Sequence, residues 1–159
     1  MALTAVELKA SLTWTMQKTN TGFDATKNGP TTKSFYLGPS VATYNQLYAA
    51  QHSLSSGASV TIDLQSFTTL DGTSVTFTKA LAIFLTVTGS SVKIEPGASN
   101  PLTWFFSGTT PAVTVPASGC FVFAQPTTQT VDATHKTIKL TEGTGSGTAV
   151  VTIEILGGT

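Results

Sequence analysis

An all-β fold, an antiparallel β-sandwich of jelly-roll type with an extended N-terminal segment or loop, is the class this sequence predicts. Three observations predict it. Apolar and polar residues alternate with a period of two, turn-forming residues recur at roughly 8 to 12 residue spacings, and charge is scarce while threonine is abundant.

Taken in chain order, Leu8, Ala10, Leu12, Trp14 and Met16 alternate with Lys9, Ser11, Thr13 and Thr15. Successive side chains of a strand point to opposite faces, so this segment reads as one half-buried strand. Asn20 to Pro39 is polar and holds Gly22, Asn28-Gly29, Pro30 and Gly38. It reads as a long exposed loop or hairpin, with Ser34 to Leu37 strand-like. Gln46 to Leu54 is expected as a strand, although Val41 to Ala50 has room for one helical turn. Ala58, Val60, Ile62 and Leu64 alternate with Ser59, Thr61 and Asp63. Ser74 to Lys79 leads into Ala80 to Thr88, the most apolar stretch and the expected central strand. Short strands are expected at Ser91 to Glu95, Leu102 to Phe106, Ala112 to Val115, Cys120 to Ala124 and Thr137 to Leu140. Ala149, Val151, Ile153 and Ile155 close the series. Asp71-Gly72 is a hairpin signal, and Gly89-Ser90, Pro96-Gly97, Ser107-Gly108, Ser118-Gly119 and the Gly143 to Gly147 loop punctuate the rest. No segment sustains apolar residues at helical spacing. Residues 1–57 read as an N-terminal strand, loop and connecting strands, an assembly arm, and residues 58–159 as the sandwich body, within one structural domain overall.

The composition narrows the function. Hydrophobic residues make up 40% of the 159 and charged residues only 10%, against about 25% charged in ordinary globular chains. Threonine, about a fifth of the chain, takes the place of charge and suits the solvent face of a strand. Eight lysines balance eight carboxylates, and arginine is absent. A nucleic-acid partner would call for a basic face with arginine contacts, so none is expected. Zero net charge offers little colloidal repulsion, which favours association. The longest apolar run, Ala80 to Leu85, is too short to span a bilayer, and no leader with a basic start and apolar core is visible at the N-terminus. Synthesis in a cytoplasm and no membrane partner are the expectations. Cys120 is the single cysteine; beside Phe121 it is expected to be buried and inert.

No constellation for chemistry stands out. His52 and His135 are far apart, and neither HExxH nor CxxC occurs, so no zinc site and no cofactor are expected. Asp71-Gly72-Thr73-Ser74 has one carboxylate where a calcium loop needs several oxygens. No GxSxG elbow is present. Gly143 to Gly147 lies between strands and lacks the lysine of a phosphate loop; it reads as a flexible hairpin loop. Asp63 and Glu95 could face each other across a cleft, but eight scattered acids always supply such pairs. The chain is therefore expected to be no enzyme. Trp104-Phe105-Phe106 is the feature to explain. Three consecutive aromatics on a strand cannot share one face, so one must meet a loop, a neighbouring subunit or a sugar ring. The candidate interface residues are Met1, Leu3, Val6, Phe23, Phe35, Tyr36, Trp104, Phe105 and Phe106.

The run ASVTIDL, its DG turn, then TSVTFTKALAIFLTVTG, GASNPLTWFFSG, AVTVPASGCFVFAQP and DATHKTIKLTEGTGSGTAVVTIEILG resembles small structural proteins of tailed bacteriophages and prophages. The likeness spans Ala58 to Gly157 and consists of packing and turn patterns. Ser118-Gly119 stands where those proteins usually have Gly-Gly. The resemblance implies a virion component, such as a capsid decoration or cement protein, with the major capsid protein or another virion protein as partner. It implies a virion location after synthesis in the host cytoplasm, and it carries over no catalytic residue. A homo-oligomer, as a trimer, is the accompanying expectation. A head–tail or tail component remains an alternative, as does a carbohydrate-binding module using Trp14 or Trp104.

Overall fold

The computed structural model describes the backbone of residues 7–20, 23–36, 46–68, 72, 74–106 and 111–159, and within these the side chains from residue 46 onward except 125–128. Two compact units emerge, residues 4–41 and residues 42–159, the latter grouped with 1–3. Gln46–Leu54, which falls in the expected 1–57 segment, pairs along its length with the last strand of the larger unit.

The smaller unit is a ribbon of β1 (Glu7–Asn20) and β2 (Phe23–Tyr36), antiparallel and in unbroken register from Glu7 opposite Tyr36 to Asn20 opposite Phe23. The stretch read as a loop or hairpin is thus the second strand of a hairpin. A two-stranded ribbon alone is marginally stable in water.

The larger unit contains β3 (Gln46–Leu54), β4 (Ser59–Asp63), β5 (Phe67–Thr68), β6 (Ser74–Val75), β7 (Lys79–Gly89), β8 (Val92–Pro96), β9 (Val113–Val115), β10 (Cys120–Thr130), β11 (Thr137–Glu142) and β12 (Ala149–Gly158). No helix occurs among the described residues. One four-stranded sheet has the order β10-β7-β12-β3, a second the order β4-β11-β8-β9, and β5 and β6 form a small hairpin. All strand pairings are antiparallel. In β3/β4, β7/β8, β9/β10 and β11/β12, the first strand lies in one sheet and its successor in the other. The chain therefore crosses between layers at every one of these links.

Period-2 alternation decides what lies between the layers. From the first sheet come Ile83, Leu85 and Val87 of β7 with Val151, Ile153 and Ile155 of β12. From the second come Ile62, Val92, Ile94, Ile138 and Leu140, and all join one buried cluster. Each such side chain contributes about 1.5–3 kcal/mol when fully buried. The outer face of the second sheet is polar. Lys139 lies directly opposite Thr61 and Glu95, and its ammonium sits 3.3 Å from the Glu95 carboxylate.

Gly89 shows what a crossing demands. Its φ is +81°, and a Cβ there would meet the backbone carbonyl of Thr148, which accepts a 3.0 Å hydrogen bond from the Ser90 N–H. Ser118 also has a left-handed φ of 59°, a conformation that glycine adopts more readily than serine.

Several expectations are corrected. Leu102 to Phe106 is no strand: Phe106 N–H donates to the Thr103 carbonyl at 2.8 Å and closes a turn. The Gly143 to Gly147 loop is no hairpin between neighbours, because β11 and β12 lie in different sheets. Cys120 is exposed, not buried: it begins the edge strand β10 and, opposite Thr86, alternates away from the inward-facing register of Phe121 opposite Leu85. Asp71 and Ser107-Gly108 lie outside the described residues, although β5 and β6 do form the hairpin expected around Asp71-Gly72.

Candidate functional site

The turn at Thr103 to Phe106 removes the difficulty posed by three consecutive aromatics. On a strand they would split between faces; on a turn they converge. The Trp104 and Phe105 rings lie 5.5 Å apart and those of Phe105 and Phe106 4.3 Å apart. Two rings from β10 complete the group. Phe121 and Phe123, two residues apart, sit opposite Leu85 and Ile83 and so share the inward register of the sheet. Phe105 lies 5.1 Å from Phe121 and 5.0 Å from Phe123, and Trp104 meets Phe123 edge to face at 5.7 Å. Each such pair adds about 0.5–1.5 kcal/mol beyond burial.

All five rings are half-buried and pack on the margin of the core. β10 and β9 are the corresponding edges of the two sheets, joined through Pro116 to Gly119. The cluster therefore closes the core where it opens beside edge strand β10. The Trp104 Nε1–H is buried and has no hydrogen-bond partner among the described residues, a costly state for a donor. The Phe-x-Phe spacing of β10 is a period-2 signal, so Phe121 and Phe123 were legible as a pair. Their meeting with Trp104 was not, because a turn sets it.

Of the other expected interface residues, Met1, Leu3 and Val6 lie outside the described residues. Phe23, Phe35 and Tyr36 belong to β2 of the separate ribbon, at register positions opposite Asn20, Leu8 and Glu7. The structure brings together Trp104, Phe105 and Phe106 and places the three β2 residues in the other unit.

The titratable groups have local structural partners. Asp63 pairs with Lys136 at 2.7 Å and Glu95 with Lys139 at 3.3 Å, so the two carboxylates are held by separate lysines. His52 Nε2 lies 3.1 Å from the Tyr48 hydroxyl, and burial lowers the histidine pKa and raises that of the tyrosine. Asp132, Thr134 and His135 contain the residue types of a hydrolytic triad, but Asp132 Oδ1 and Thr134 Oγ1 both approach the same ring atom, His135 Nδ1, at 3.1 and 3.0 Å. A relay needs the two partners on opposite ring nitrogens. The Asp132 carboxylate instead accepts from the Thr134 hydroxyl, the Thr134 N–H and the His135 N–H. These bonds hold its pKa down to about 2 and fold the turn. Among the described residues no group of three or more His, Cys, Asp or Glu is arranged to hold a metal, and no helix is long and apolar enough to cross a membrane.

Comparison with family models, with curated proteins and with solved structures finds no match to this chain.

One charged group escaped the sequence reading. Glu142 ends β11 on the inward register, opposite the fully buried Val92, and is itself only 3% exposed. Its carboxylate is covered by loop backbone. It accepts from the Thr144 hydroxyl, from Gly57 N–H at 3.0 Å, from Thr144 N–H at 3.0 Å and from Gly145 N–H at 2.7 Å. These bonds, the Thr144 hydroxyl first, hold the pKa down to about 2. Glu142 thus fastens the crossing between β11 and β12 to the crossing between β3 and β4. The glycine-rich loop read as flexible is tied down by it. Residues 143–147 signal a turn in the sequence, but nothing there reveals that the carboxylate just before them, Glu142, would organise it.

Proposed function

We propose that this chain is a non-enzymatic structural component of a bacteriophage particle, a capsid decoration (cement) protein that stabilises the shell. The observation that carries the reading is the strand order. Eight strands in two four-stranded sheets, with the links β3/β4, β7/β8, β9/β10 and β11/β12 crossing between layers, support the reading of a double-sheet jelly roll. That architecture recurs in viral capsid domains. The resemblance of Ala58 to Gly157 to tailed-phage structural proteins points the same way.

The two outer faces support a contact role because they differ. Outward register positions of the second sheet hold Lys93, Glu95, Thr61 and Lys139. Those of the first sheet align Val122, Phe84, Glu154 and Ala49 in one row, half-buried except for the exposed Glu154, beside Cys120, Thr86, Thr152 and Gln51. The half-buried Val122, Phe84 and Ala49 on this face suit contact with a protein partner. The partner proposed is the major capsid protein, or another virion protein, with the chain itself homo-oligomeric, located in the virion and made in the host cytoplasm.

The Trp104 Nε1–H, without a partner among the described residues, favours a second reading, a carbohydrate-binding module, since jelly rolls also occur in lectins. The aromatic rings weaken it: Phe105 lies within 5.5 Å of four other rings, and a stack of this kind leaves little flat surface for a sugar. A sedimentation assay separates the two. Shells assembled from the major capsid protein of the encoding phage, without this chain, should take it up saturably and gain resistance to heat. Phe84→Lys should weaken the uptake. Absence of uptake, together with saturable glycan binding lost in Trp104→Ala, would replace the first reading by the second.

A further inference from the structure

Each sheet of the body ends in two edge strands, and an edge offers unpaired N–H and C=O groups to any passing strand. Three of the four edges are blunted. β4 has five residues and ends on Asp63, which is paired with Lys136. β9 has three residues and is followed by Pro116. β10 contains Pro126, and its register breaks between Ala124 and Gln129.

β3 has none of these protections. Its nine residues, QLYAAQHSL, include no proline and no charged residue. Its pairing with β12 runs without a bulge from Leu54 opposite Ala149 to Gln46 opposite Gly157. Among the described residues it has no second strand partner.

We infer that β3 is a self-pairing edge: two copies of this chain join β3 to β3 about a two-fold axis. The occupant is a second copy for a reason of charge and symmetry. An antiparallel strand pair made from one sequence is self-complementary under a two-fold axis. Under that axis residue i of one copy faces residue j of the other and j faces i, so charges of one sign on the strand would meet like charges across the seam. β3 carries no charge and so no such repulsion, and of the two long edges, β3 and β10, it alone has neither a proline nor a register break. The product is one eight-stranded sheet from two four-stranded ones, with the outer face of the first sheet continuous across the seam. That enlarges the contact face proposed above for the shell, but the pairing itself does not depend on that role.

Sedimentation equilibrium of the full chain tests it. The expected species is twice 16.5 kDa. Gln51→Lys with Ser53→Lys, at two exposed β3 positions, should weaken association by about tenfold or more through like-charge contacts. Ser59→Lys on the β4 edge should leave it unchanged. Should the double variant fail to fold, amide hydrogen exchange of the unaltered chain decides the matter: protection of residues 46–54 should rise with protein concentration. A chain that stays monomeric, or an association in which residues 46–54 gain no protection, overturns the inference. Failure of shell uptake with dimerisation intact would count against the proposed function alone.

Discussion

Phe77→Ala should lower the stability of the body by about 3–5 kcal/mol, seen as a fall in the urea midpoint at unchanged slope. Phe77 is fully buried and lies between strands, in the segment that carries the chain from the small hairpin to β7. Its N–H donates to the Leu64 carbonyl at 2.9 Å, which ties it to the end of β4. Its ring meets Phe67 edge to face at 4.7 Å, and Phe67 meets Tyr48 in the same way at 5.2 Å. The ring also lies where a Cβ on Gly157 would fall, 2.6 Å from two ring carbons, so β12 has been left without a side chain to admit it. One aromatic thus links β3, the hairpin, β7 and β12, and its removal leaves a cavity that none of these can fill. A loss below about 1 kcal/mol would mean that the site collapses around the smaller residue.

Acid should unfold the protein largely through Glu142, and Glu142→Gln should remove much of that sensitivity. The carboxyl pKa falls from an ordinary 4.5 to about 2 in the folded chain. A lowered folded value means that the unfolded chain binds the proton more readily. The stabilisation is therefore complete above pH 4.5 and is lost as pH falls through that range towards 2. At neutral pH Glu142→Gln should be the less stable protein, since an amide has one acceptor oxygen in place of two and places an NH₂ against backbone donors. As pH falls the two proteins should converge. Asp132, lowered from 3.8 to about 2 by its own turn, supplies the slope that remains in the variant. Urea midpoints measured between pH 7 and pH 2 test this directly; parallel profiles for the two proteins would show that the carboxylate does not hold the crossing together.

These two residues also show where the sequence is transparent and where it is opaque. Regular strands were legible because one face is buried and the alternation records it. Gln46–Leu54 was found at its observed bounds, and the strands at Ala58 to Leu64, Ala80 to Thr88 and Ala149 to Ile155 fell close to theirs. The β5–β6 hairpin was legible from Asp71-Gly72. What failed were features set by contacts distant in the chain. Trp104-Phe105-Phe106 looked like strand because aromatics favour strands, yet Phe121 and Phe123 of β10 drew it into a turn. The Gly143 to Gly147 run looked like a hairpin loop because local turn chemistry is the same whether the next strand pairs with the last or crosses to the other layer. Cys120 looked buried because its neighbours are apolar, but a shift of one residue along a strand reverses the face. The candidate site was half legible: its tryptophan and two of its phenylalanines were singled out from the sequence, whereas their assembly with the β10 pair was not.

The central claim is that this body is a building block of a phage shell. Averaged cryo-electron microscopy images of purified particles of the encoding phage test it most directly. The account predicts repeated density of about 16.5 kDa per copy on the outside of the capsid, fitted by the two four-stranded sheets with the outer face of β10-β7-β12-β3 turned towards the shell. Particles whose capsid surface shows no such density, or in which the chain is absent, would contradict it.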